Sequence, residues 1–166
     1  MRLILIGFMG SGKSCLAGEL ATRYRLPCYD IDSLIEEETG SSIEEIFMNR
    51  GEEWFRMRER KVLCQLPDET VIATGGGVIE ISENRQFLKQ QENFTIWLHP
   101  PFSLIYERID GSRRPKIRGL NREGIYSLWK ERLPLYRECS NLSFNSSSSD
   151  FKELFREIDW LFRAVD

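Results

Sequence analysis

Apolar residues along this chain fall into two patterns. Short unbroken runs, Leu3-Ile4-Leu5-Ile6, Val71-Ile72-Ala73 and Phe94-Thr95-Ile96-Trp97-Leu98, predict strands over residues 2–6, 70–74 and 94–98. Leu26 to Asp32 predicts a further short strand that ends in two carboxylates, and 142–144 a last one. Between these runs the apolar spacing becomes helical, with helices predicted over 13–24, 52–65, 82–91, 102–109, 121–138 and 151–164. Two shorter helices are expected between 33 and 51. Ser33 with Glu36 reads as a capping box for the first, which Gly40 stops; Ser41 or Ser42 opens the second, which Gly51 closes. Strands alternating with helices imply a parallel sheet covered on both faces, an α/β fold without internal repeats, in one domain spanning 1–166.

Composition adds limits. In 166 residues, 41% hydrophobic and 30% charged, there is enough apolar surface for one core, and the net charge of −3 gives no overall attraction to nucleic acid or to an anionic membrane. Any anion site must therefore be local. Cys15, Cys28, Cys64 and Cys139 are scattered, with no C-x-x-C pair and no adjoining histidine, which predicts free thiols rather than zinc ligands. The N-terminal apolar run is too short for a signal peptide before it meets Gly12-Lys13, and no segment has the length of a membrane span. A cytoplasmic protein is expected.

The first strand runs into Gly7-Phe8-Met9-Gly10-Ser11-Gly12-Lys13-Ser14, which fits G-x-x-x-x-G-K-[ST]. Glycines there let backbone N–H groups of Gly10, Ser11, Gly12 and the helix start near Cys15 surround a phosphate, and the helix N-terminus adds partial positive charge. Lys13 would neutralise the outer phosphates and the Ser14 hydroxyl would ligate Mg²⁺, with Asp30 holding the metal's water shell. Asp32 is the candidate acceptor of a hydroxyl proton. Regular strand geometry would turn Asp30 and Asp32 apart, so one of them must lie beyond the strand's end. Gly75-Gly76-Gly77 suits close approach of backbone to a ligand. The polar stretch Asp110 to Gly119, with Arg113, Arg114, Lys116 and Arg118, reads as a lid that brings arginine to a transferring phosphate. The sole histidine, His99, beside two prolines, reads as structural.

Taken together, these motifs resemble the shikimate kinase family. The resemblance rests on GFMGSGKS at 7–14, on Asp30-x-Asp32, on Phe55-Arg56-Met57-Arg58-Glu59 as F-R-x-x-E, and on Gly75-Gly76-Gly77. It continues through Arg114-Pro115 and Pro134-Leu135-Tyr136-Arg137. It implies a three-layer α/β/α P-loop kinase fold whose five parallel strands take the order 2-3-1-4-5. The substrate-binding region would cover about 33–61 and the lid about 110–122. It further implies Mg²⁺-assisted, ATP-dependent phosphorylation of the 3-hydroxyl of shikimate by a monomer. By the family pattern Asp32, Arg56, Gly76, Gly77 and Arg137 contact shikimate, with Arg56 and Arg137 clamping its carboxylate. Lys13 and Arg114 would stabilise the phosphoryl group, and Arg108 would stack on adenine.

Two stretches depart from that pattern: Lys116-Ile117 stand where the lid usually has two leucines, and Asn145-Ser146-Ser147-Ser148-Ser149-Asp150 replaces an adenine loop that usually holds a proline and an arginine. The residues leave two other readings open, a different small-metabolite kinase of the same fold, for gluconate or a nucleotide, and a nucleotide-binding regulatory module without turnover.

Overall fold

The computed structural model describes residues 1–109, 115–147 and 151–165, with side chains as far as Trp160. Five strands, β1 (Arg2–Ile6), β2 (Cys28–Asp30), β3 (Val71–Ala73), β4 (Asn93–Leu98) and β5 (Leu142–Phe144), form one sheet in the order β2-β3-β1-β4-β5. Every pairing is parallel, and Asp30, Ala73 and Leu5 stand in register across three neighbouring strands.

Because successive strand residues point to opposite faces, β1 feeds two cores. Ile4 and Ile6, with Ile72 and Trp97, pack under α2 (Ile31–Thr39), α3 (Ile43–Gln65), α5 (Phe102–Ile109) and α6 (Arg122–Cys139). Leu3 and Leu5, with Val71, Ala73, Ile96 and Leu98, pack against α1 (Lys13–Tyr24) and α7 (Lys152–Val165) through Leu16, Leu20, Leu154 and Ile158. The result is the three-layer α/β/α sandwich. Among the described residues no helix is long and apolar enough to cross a membrane.

Boundaries differ from expectation at informative places. β2 stops at Asp30, whose carboxylate accepts from the backbone N–H groups of Asp32 and Ser33 and so caps α2 itself. The expected Ser33–Glu36 capping box does not form. Glu36 instead accepts the Ile43 N–H at 2.8 Å and ties α2 to α3. The capping box belongs to Ser42 and Glu45. Gly51, at φ 82° and ψ 167°, breaks α3 where a helix end was expected, leaving two helical arms either side of a kink. The helix α4 (Ser82–Leu88) ends earlier than predicted because the Asn93 side chain donates to the Phe87 carbonyl, and β4 begins at Asn93. A single 3₁₀ turn, Val78–Glu80, follows the three glycines and was not anticipated.

Candidate active site

At the carboxyl ends of β1, β2 and β3 lies an open cleft of about 620 Å³ lined by Lys13, Ser14, Asp30, Asp32, Arg56, Gly75 to Gly77, Lys116 and Arg132, among others. Ligands of open α/β sheets bind at this edge.

One end of the cleft is built from contiguous backbone. The loop after β1 places Gly7, Gly10 and Gly12 at φ 148°, 77° and 97°, conformations a side chain would strain. A Cβ at Gly7 would also meet the Leu98 carbonyl at 2.5 Å. The loop therefore closes tightly onto the start of α1, with Gly12 as its N-cap and Ser11 fully buried. Lys13 is 8% exposed, and its ammonium donates to the Gly7 and Phe8 carbonyls at 2.9 and 3.1 Å, directly above the loop. Ser14 donates to Asp30 at 2.7 Å, and Cys15 is exposed in the first turn of α1. Arg108, on α5, reaches across to the Gly10 carbonyl at 3.1 Å.

The Ser14 hydroxyl and Asp30 carboxylate, side by side at the mouth of the loop, are a donor set suited to a hydrated Mg²⁺, which takes few protein ligands and keeps substrate phosphates and water for the rest. No group of three or more His, Cys, Asp or Glu placed to hold a metal occurs among the described residues.

The other end is built from side chains on four separate elements. Asp32 sits in the first turn of α2, beyond the end of β2, and thereby shares the cleft with Asp30. Under Gly75 the Asp32 and Glu59 carboxylates converge: a Cβ there would lie 2.9 Å from Asp32 Oδ1 and 2.5 Å from Glu59 Oε1. Glu59 is fully buried and pairs with Arg56 at 2.9 Å. Burial pushes its carboxyl up to about 7, against the pull of Arg56 and with a further push from Asp32.

Arg56 is 8% exposed, and its guanidinium also meets Glu80 at 3.1 Å and Glu52 at 3.4 Å. A Cβ at Gly77 would collide with that guanidinium, so a side chain there would displace Arg56. Arg132, 2% exposed, lies over the Phe8 ring and donates to Glu80 through Nε at 3.2 Å and Nη2 at 2.7 Å. Its Nη1, with the Tyr136 hydroxyl, is directed at the Gly76 carbonyl. Burial would raise the Glu80 carboxyl, but Arg132, Arg56 and Lys116 together hold it below the usual range.

Of the residues expected to form the site, Lys13, Ser14, Asp30, Asp32, Arg56, Gly76 and Gly77 line the cleft together, with Gly10, Gly12 and Arg108 at its phosphate end. Arg114 lies outside the described residues. The structure does not bring Arg137 to the cleft. It is exposed, absent from the cleft lining, and close enough to His99 to add to the burial that lowers that imidazole's pKa. The arginine that α6 turns inward is Arg132. Ile125, Arg132, Tyr136 and Cys139 are its buried residues at seven-, four- and three-residue steps, whereas Arg137, five residues on from Arg132, falls on another face. That spacing was readable from the chain. Glu59 was likewise visible at four-residue steps between the buried Phe55 and Leu63. Glu80 carried no local signal. His99 packs on Trp97 with ring centroids 4.8 Å apart.

Among known proteins, the profile of the shikimate kinase family matches residues 9–160. A shikimate kinase of Staphylococcus aureus strain JH9 is 39% identical over 166 residues, covering 99% of this chain and 95% of the relative. One from Dictyoglomus turgidum is 35% identical over 162 residues, covering 94% of each. The solved shikimate kinase of Acinetobacter baumannii, in complex with shikimate, superposes with a TM-score of 0.89 at 34% identity, covering 99% of this chain and 94% of that one.

Proposed function

The chain belongs to the shikimate kinase family, and from that premise we propose that it transfers the γ-phosphoryl group of Mg·ATP to the 3-hydroxyl of shikimate, giving shikimate 3-phosphate and ADP. The observation that carries the reading is the pairing of a phosphate loop with two buried arginines across one cleft, a donor end for nucleotide and an acceptor end for a small carboxylic acid.

Loose phosphoryl-transfer transition states require little beyond alignment and neutralisation of charge. At the donor end the loop's N–H groups and the N-terminus of α1 would cradle the phosphates, with Lys13 reaching the transferring group. Ser14 and Asp30 would hold Mg²⁺, which when bound neutralises charge on the phosphate oxygens. Arg108, already against the loop, is the candidate adenine contact. Arg114, one residue before the cleft-lining Pro115, is the candidate lid arginine for the transferring phosphate.

At the acceptor end Arg56 and Arg132 would pair with the shikimate carboxylate, each charged hydrogen bond contributing roughly 1.5–3 kcal/mol. Asp32 would accept the 3-hydroxyl hydrogen and orient its oxygen in line with the phosphoryl group. The Gly75–Gly77 backbone gives the ring its close approach. Arg56, which lines the cleft, has its Nε buried without a hydrogen-bond partner among the described residues, as expected of a polar group completed by a ligand.

The test is ADP release from Mg·ATP with shikimate, gluconate, nucleoside monophosphates or no acceptor. Release stimulated by shikimate alone is expected. Stimulation by another acceptor would overturn the substrate, and nucleotide binding without release for any acceptor would favour a regulatory module.

A further inference from the structure

The acceptor end contains a carboxylate that the reaction does not use. Glu80 stands on the 3₁₀ turn after the three glycines and cross-links two elements, with Oε1 taking Nε and Nη2 of Arg132 on α6 and Oε2 lying 3.1 Å from Nη2 of Arg56 on α3. Lys116, from the base of the lid region, lies 3.9 Å from Oε1 and pairs with Glu52 at 2.8 Å. The turn that carries Glu80 is itself held. Val78 and Ile79 are fully buried, Asn84 donates to the Val78 carbonyl at 3.0 Å, and Arg85 donates to the Ile79 and Glu80 carbonyls at 2.8 and 3.2 Å.

Resting on the shikimate reading above, we propose that Glu80 is a positioning residue for substrate recognition: its carboxylate fixes the spacing and direction of the Arg56 and Arg132 guanidinium groups that receive the substrate carboxylate. Arginine loses rotamer freedom when it is pinned, and a clamp aligned before its ligand arrives does not lose that freedom again on binding. Arg132 depends on Glu80 most. Glu80 is the carboxylate at its guanidinium, and Arg56 has Glu59 and Glu52 besides. The ion pairs of Glu80 among the described residues run to Arg132, Arg56 and Lys116, so its influence should fall on shikimate affinity and leave the chemical step alone.

The experiment compares the wild-type chain with Glu80→Gln, which keeps shape and removes charge, using shikimate and its uncharged methyl ester as acceptors. The expected result is a shikimate KM raised about tenfold or more, with kcat and the KM for ATP within about threefold of wild type. The ester, which offers the arginines no charge, should lose less than about twofold in kcat/KM. Glu80→Asp, which keeps a charge within reach of one arginine, should recover part of the shikimate affinity, and it carries the same two-acceptor comparison should the glutamine variant not fold.

An unchanged shikimate KM would overturn the inference. So would a KM that falls, as removal of a competing carboxylate would produce, or equal losses with shikimate and ester, as a general loosening would produce. If the wild-type chain itself does not use shikimate, the functional reading fails and takes this inference with it; if wild type is active and Glu80→Gln behaves like it, the inference alone fails.

Discussion

The phosphate end of the cleft is built around a single stretch of eight residues whose shape comes from backbone conformation, while the acceptor end is assembled from side chains on α2, α3, the 3₁₀ turn and α6, up to 100 positions apart between Asp32 and Arg132. The first recognises a chemical group common to every nucleotide and needs only N–H groups, one cation and a helix terminus. On the proposed function the second would recognise one small acid, with arginines buried deeply enough to require counter-charges of their own. Arg56, Arg132 and Lys116 are interleaved with Glu52, Glu59 and Glu80. Buried cations left alone would be costly, so the protein supplies carboxylates whose first task is to make the clamp tolerable in the fold. Specificity here therefore carries a structural burden that phosphate binding does not.

Removing the main cation of the phosphate end should have the largest effect, and on turnover. Lys13→Ala is expected to lower kcat on the order of 10³-fold while leaving the shikimate KM within a few-fold, measured by ADP release. At the acceptor end the effect should shift from rate to affinity. Gly77→Ala places a methyl group against the Arg56 guanidinium, which three carboxylates hold in place, and is expected to raise the shikimate KM roughly tenfold with kcat less affected. Equal losses in both parameters would show that the two ends are not separable.

A further expected effect is on stability and its pH dependence. Glu59, with its carboxyl raised from 4.5 to about 7 in the folded protein, stays protonated there at pH values where the unfolded chain has released its proton. The folded state thus binds more protons across that window, and stability falls as pH rises from about 4.5 to about 7, then levels. A decline on the order of 1–3 kcal/mol, a few degrees in melting temperature, is expected for wild type and should be missing in Glu59→Gln. Parallel melting profiles for the two proteins would remove Glu59 as the cause.

The same contrast explains what could be read in the chain. Gly7 to Ser14 was legible because its function is written in consecutive residues, and the five strands were legible because short apolar runs between turn signals have few other homes. Asp30 and Asp32 were placed correctly at the strand end, but the cap on α2 was assigned to Ser33, since local spacing could not show that Asp30 would turn back on its own helix. The acceptor end was legible only where a side chain's partners lie on the same helix, as with Arg56 and Glu59. Glu80 could not be recognised because its partners come from α3 and α6. Arg137 came from the family resemblance through Pro134-Leu135-Tyr136-Arg137, and the residue that helical spacing puts inward with Ile125 and Tyr136 is Arg132.

The contrast between these two arginines is also the sharpest test of the acceptor site. Shikimate KM measured for Arg132→Ala and Arg137→Ala in parallel should rise by about 10²-fold in the first, beyond the tenfold expected of Gly77→Ala, and by less than about twofold in the second. The reverse order, or equal losses, would contradict an acceptor site in which Arg56 and Arg132 together hold the substrate carboxylate.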